Sequence, residues 1–151
     1  ANMIPLESPQ QILPNAIAWV EQQSLFIQKN GTPLTETGIR LAIAVGVSEP
    51  EKVRTMQAID IPCPTLEILR NAAIQTGLLS QNVQGITFEH FIFIKTGHMT
   101  PRLLSHELRH VHQYEKFGSI SSFLAEYLNQ IISVGYDKSP LEIDARTHEQ
   151  V

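Results

Sequence analysis

The sequence predicts an α+β domain, mainly helical, in which a small β-sheet packs on one of the helices. Three observations predict it. Most of the 151 residues fall into segments with apolar groups three and four positions apart. Residues 86–95 instead alternate with period two, and Gly, Pro, Ser and Thr stand singly between the segments, as caps and turns require. No repeat, low-complexity tract or linker-like stretch divides the chain, so residues 1–151 read as one domain, with Ala1 and Asn2 ahead of Met3 as an expression remnant.

The elements follow in order. Residues 9–29 carry Ile17, Val20 and Leu25 on a largely polar background and end at Asn30-Gly31, which predicts a first helix. Thr35, three residues before Gly38, caps a second helix through Ile39, Leu41, Ala42 and Val45, and Gly46 stops it. After the Glu49-Pro50 turn, residues 52–62 (KVRTMQAIDIP) read as a short strand. Helical spacing returns from Thr65 to Gly77, and the turn Asn82-Val83-Gln84-Gly85 leads into ITFEHFIFIK, read as one continuous strand over 86–95. Thr100 and Pro101 supply an N-cap and a first helical residue for a helix reaching Gly118. Ser119 opens a core helix with a stripe of Ile120, Phe123, Leu124, Tyr127, Leu128, Ile131 and Ile132, and Ser139-Pro140 opens the last helix.

Composition excludes several function classes. With 11 Lys+Arg against 15 Asp+Glu and no basic cluster, the chain offers no electrostatic footprint for nucleic acid or anionic lipid. Cys63 is the only cysteine, so no intrachain disulfide forms and a reducing, cytoplasmic setting is expected. No apolar run approaches the ~20 residues of a membrane helix, and the start MIPLESPQQILP lacks the features of a secretion signal. A chain this long folds without a structural metal, so any metal is expected to be functional.

The chemistry lies in His106-Glu107-Leu108-Arg109-His110, an HExxH string on the helix opened by Thr100. Residues four apart share a helix face, so the two imidazoles converge on one point, and such a pair suits Zn²⁺. Glu107 then acts as general base toward a water that the metal activates. A chain of this length and composition shows HExxH by accident roughly two times in a hundred. A second observation points the same way: Glu107 falls on the apolar stripe of Leu104, Leu108 and Val111, where a carboxylate needs a partner.

The third ligand is open among Glu126, Asp137, Glu142, Asp144, His148, Glu149 and Cys63. Glu126 sits on the polar side of the core helix and reads as a solvated charge. Glu142, 32 positions after His110, leaves room for a helix that returns its successor across the HExxH helix, and it is the favoured ligand over the bland reading of a surface pair with Arg146. His90 and His112 read as satisfied histidines rather than ligands, and Cys63 as a buried one. Tyr136 and His148 are candidate donors to an oxyanion.

At HExxH and Glu142-x-x-Ala145 the chain resembles zinc metallopeptidases of the gluzincin type, among which the CAAX-prenyl proteases show such an arrangement. Arg146 stands where that family has Asp, and the family's transmembrane helices are missing. The segments PEKVR, GITFEHFIFI, LLSHELRHVHQYEKFGS, FLAEYL and GYDKSPLEIDAR resemble small bacterial zinc peptidases of uncharacterised substrate, over about two-thirds of the chain. The resemblance implies a zincin-like fold and a zinc-dependent peptidase acting on protein or peptide substrates, with His106, His110 and Glu142 on the metal and Glu107 as catalytic residue. The strand at 86–95 is expected to hold an extended substrate by β-augmentation. Two alternatives from other classes stand beside this reading: a non-proteolytic zinc-binding or partner-binding module, and a metallohydrolase using Cys63 as ligand.

Overall fold

A computed structural model describes residues 9–78 and 83–151. The Asn82 end of the expected NVQG turn lies outside the described residues, whereas Gly85 already belongs to a strand. Among the described residues are six helices: α1 (Pro9–Asn30), α2 (Glu36–Ala44), α3 (Glu67–Thr76), α4 (Pro101–Phe117), α5 (Ile120–Val134) and α6 (Pro140–Thr147). Four strands, β1 (Thr32–Pro33), β2 (Arg54–Ala58), β3 (Gly85–Phe88) and β4 (Phe91–Lys95), form one sheet in the order β1-β2-β4-β3. The β2–β4 pair is parallel and the two outer pairs are antiparallel, so the sheet is mixed. No helix among the described residues is long and apolar enough to cross a membrane.

The helix ends form where short-range chemistry places them. Thr35, Thr100 and Ser119 each accept a hydrogen bond from the backbone N–H three residues on, satisfying an amide that the first helical turn leaves without a partner. Ser139 behaves differently: its hydroxyl donates to Gln130 Oε1 at 2.9 Å, and the same oxygen accepts from Leu141 N at 2.9 Å, so a side chain of α5 caps α6.

The continuous strand expected over 86–95 is instead a hairpin. Phe88 pairs with Phe91, leaving Glu89 and His90 as a two-residue loop, and Glu89 takes φ 64°. Positive φ at the first central residue is the pattern of a type II′ turn, which suits the twist of paired strands. The loop also reassigns faces. In an unbroken strand Ile86 and Phe88 would share a face with Ile92 and Ile94; the turn puts Ile86 opposite Phe93 and Thr87 opposite Ile92. Phe88, Phe91 and Phe93 therefore meet Ile12, Ala16 and Val20 of α1 and Phe123 and Leu124 of α5. Ile92 and Ile94 pack on the other side against Leu104, Leu108 and Val111 of α4 and Ala42 and Val45 of α2.

The sheet thus lies between two helical layers, with β3 on its edge and β4 inside it. The helix carrying HExxH packs against β3, as expected for a sheet on that helix. In α1 the buried positions are Ile12, Ala16, Val20, Ser24 and Ile27; Leu25, expected on the apolar face, is 58% exposed because it lies half a turn from that stripe.

Candidate metal centre

Helix α4 presents His106 and His110 one turn apart, with ring centroids 5.0 Å from each other. Helix α6 crosses α4 and delivers Glu142 between them, with Ala145 fully buried at the crossing. One ligand atom from each of His106, His110 and Glu142 lies within 4.8 Å of the other two. The three residues expected as ligands are brought together, at 7%, 6% and 1% exposure. The surface pair of Glu142 with Arg146 does not form; Arg146 donates instead to the Asp137 carbonyl.

The protonation pattern of the two rings follows from their outer partners. Glu149 Oε2 lies 2.9 Å from His106 Nδ1, and a carboxylate only accepts, so Nδ1 carries the proton. Gln113 Nε2 donates to Leu141 O and Asp144 Oδ2, each at 2.9 Å, which turns Gln113 Oε1 toward His110 Nδ1 at 2.7 Å and makes that nitrogen a donor as well. Both Nε2 atoms are then bare in the neutral imidazoles. They nevertheless face the Glu142 oxygens at 3.2 and 3.1 Å. Acceptor against acceptor at that range requires a cation between them, either a proton on each ring or a metal ion held by all three. The donor set therefore fits a divalent ion.

The electrostatics agree. Burial opposes protonation of His110, but the Glu142 carboxylate overrides it and pushes the imidazole up to about 9. His106 is raised in the same sense, burial again being outweighed by Glu142 and Glu107. Burial alone would raise Glu142; the charge on His110 and hydrogen bonds from His106, His110 and Tyr127 hold it well below the usual carboxylate range. Tyr127 donates its hydroxyl proton to Glu142 Oε2 at 2.6 Å, and burial together with that carboxylate keeps the phenol protonated.

Glu107 is 4% exposed and sits under the sheet edge. Thr87 of β3 donates to Glu107 Oε1 at 2.7 Å, and a Cβ at Gly85 would lie 3.0 Å from Glu107 Oε2 and 3.1 Å from its Cγ. Gly85 is thus the residue that lets the edge strand approach this carboxylate. Gly85→Ala is expected to destabilise the fold by about 1–3 kcal/mol by overpacking, read from urea denaturation. A stability equal to that of the parent would show that Glu107 moves aside freely.

The other candidates are engaged elsewhere. Glu126 is partly exposed and accepts from Gln130 at 2.8 Å. Asp144 binds the Arg109 guanidinium at 2.8 and 3.2 Å, and His148 Nδ1 lies 2.8 Å from the Asp144 carbonyl oxygen. Asp137 is exposed. Cys63, expected to be buried, is exposed, and it joins no ligand cluster among the described residues. Glu149 is a partner of His106 rather than a ligand. Tyr136, a candidate oxyanion donor, is kept protonated first by burial and second by the nearby Glu142 carboxylate.

A second cluster, Glu49, His90 and Glu115, also brings three potential ligand atoms together. There each group has its own partner. Glu115 accepts from Ser48 N at 2.8 Å and Glu49 N at 3.0 Å and meets His90 Nε2 at 3.0 Å, while Glu49 pairs with Lys52 at 2.9 Å. His90 is a satisfied histidine, as its sequence position implied, and so is His112, whose Nδ1 lies 2.8 Å from Gly46 O.

Sequence reasoning missed Tyr127, Gln113, Thr87 and the Arg109–Asp144 pair. A signal existed for two of them: Gln113 stands three residues after His110, on the same helix face, and a Tyr on a buried stripe must place its hydroxyl on some acceptor. No family model, curated protein or solved structure matches the chain.

Proposed function

We propose that this chain is a zinc-dependent metallopeptidase of gluzincin-like, zincin-like design, acting on protein or peptide substrates in a reducing, cytoplasmic setting. The observation that carries the reading is the buried His106–His110–Glu142 set, whose two bare Nε2 atoms and one carboxylate demand a cation, with Glu107 beside them. Zinc bound there supplies Lewis acidity and lowers the pKa of a water to roughly 7. Glu149 and Gln113 hold the two imidazoles in the tautomer that offers Nε2. Glu107 takes the proton of the attacking water and passes it to the leaving amine. Tyr136, kept protonated by burial and the Glu142 charge, serves as donor to the developing oxyanion. An extended substrate pairs with the edge strand β3, whose Gly85 and Thr87 contact Glu107, so the chain segment it holds passes the catalytic carboxylate. A bound peptide is expected to protect the amides of 85–88 from exchange; protection confined to other elements would remove that pairing from the mechanism.

Without metal, His110 carries its Nε2 proton at neutral pH, since Glu142 pushes it up to about 9, and His106 is raised in the same direction. Zinc uptake at pH 7 is therefore expected to release protons, at least the one on His110, and to tighten as pH rises toward about 9. Calorimetry in buffers of different ionisation enthalpy counts them, and a count near zero would place the ion elsewhere.

The non-proteolytic zinc-binding or partner-binding module has one observation in its favour: the Thr87 hydroxyl already gives Glu107 a partner at 2.7 Å. Metal content per chain in the parent, His106→Ala and Glu142→Ala proteins tests the centre common to both readings. Near one zinc, lost in both variants, is expected. Retention in Glu142→Ala would move the third ligand.

A further inference from the structure

A cavity of about 100 Å³ opens from the metal centre into the apolar body of the protein, with Glu107, His110 and Glu142 at one end. Trp19 and Phe88, packed edge to face at 5.2 Å, and Leu124 form its walls, and the small side chains of Ala16 and Ala72 leave the space open. A space this large in a protein interior needs an explanation, because native cores pack with few voids bigger than one water. Water is a poor occupant, since most of the wall is apolar and offers it no hydrogen-bond partners. Glu107, His110, Tyr127 and Glu142 of the candidate centre are among its lining, so the space is continuous with the chemistry rather than an isolated packing flaw.

Size selects the occupant. A cavity of roughly 150 Å³ holds benzene, so about 100 Å³ suits a branched four-carbon side chain and excludes a long acyl or prenyl chain. We propose that this cavity is the specificity pocket of the enzyme and receives a leucine-sized aliphatic side chain of a peptide substrate, next to the bond to be cleaved. The proposal rests on the metallopeptidase reading for the identity of the substrate. The pocket itself is tested without turnover.

Trp19 is the only tryptophan and lines the cavity, so its fluorescence reports occupancy. The experiment titrates zinc-loaded Glu107→Gln protein, which holds substrate without cleaving it, with short Gly/Ser peptides that differ at one position, Leu, Ser or Asp. The Leu peptide is expected to bind about tenfold or more tightly than the other two, from burial of one aliphatic side chain. Ala72→Phe, which fills the cavity, is expected to remove that advantage, and Ala16→Leu does the same from α1 should the first variant fold poorly. Equal affinities for the Leu and Ser peptides, no measurable binding of any peptide, or a Leu preference untouched by both filling variants would overturn the proposal. The metallopeptidase reading fails separately: the parent protein would then bind the Leu peptide selectively and leave it intact.

Discussion

Glu142→Ala is expected to abolish zinc retention and to destabilise the metal-free protein by about 3–5 kcal/mol at pH 7, the cost of removing one member of a buried charged group. Glu142 is 1% exposed and, among the described residues, is the only carboxylate that meets both His106 Nε2 and His110 Nε2. Its loss leaves two buried rings without a counter-charge and the Tyr127 hydroxyl without its acceptor. The pH dependence gives a sharper test. His110 rises from 6.5 to about 9 in the fold, which corresponds to about 3 kcal/mol of linked stability. Because the folded value is the higher one, that stability is complete below about 6.5 and is lost as pH climbs through about 9. Glu142 is depressed, so its side of the same interaction is lost only as pH falls below the ordinary carboxylate range. The gap between parent and Glu142→Ala, measured by urea unfolding in chelator, is therefore widest near pH 6 and closes above pH 9. A gap independent of pH would mean that Glu142 acts through packing and not through charge.

Glu107→Gln is expected to lower peptide hydrolysis by about 10²–10⁴-fold while zinc content and stability stay at parental values. The amide keeps the shape of the side chain, and its oxygen still accepts the Thr87 hydroxyl, so the site is disturbed in one respect only: it can no longer take a proton. Stopped assays on a peptide with a Leu at the proposed position, with metal content measured on the same samples, separate the two effects. Equal activity in both proteins, with zinc bound in each, would leave the partner-binding module as the better account of this centre.

The sequence by itself determined what depends on a few neighbouring residues. Thr35, Thr100 and Ser119 cap helices wherever the chain goes, because a hydroxyl reaches an amide only three residues away. His106 and His110 share a face because 3.6 residues make a turn, and Gly77 and Gly118 end helices at φ 86° because they carry no Cβ. Glu142 was reachable as the favoured ligand candidate by arithmetic of loop and helix length and by its Glu-x-x-Ala spacing to Ala145, whereas Glu149, seven residues on, stood only among the open candidates.

Only the tertiary structure decided the roles that depend on how elements cross. Glu149 became the partner of His106 Nδ1 and Glu142 its neighbour at Nε2 because of the way α6 lies on α4. Tyr127 reads as one more residue of an apolar stripe until α5 and α6 meet and its hydroxyl finds Glu142. The hairpin at Glu89 was hidden for a related reason. Alternation of apolar residues continues through a two-residue turn without a visible break, and Glu is not a residue that advertises positive φ. Pairing with β2 on one side of β4 and β3 on the other selects the turn, and with it the face on which Phe91 and Phe93 line the core. Side-chain reach is a property of a few bonds and can be read along a string of letters. The meeting of side chains from distant elements is a property of packing, which the whole chain settles together.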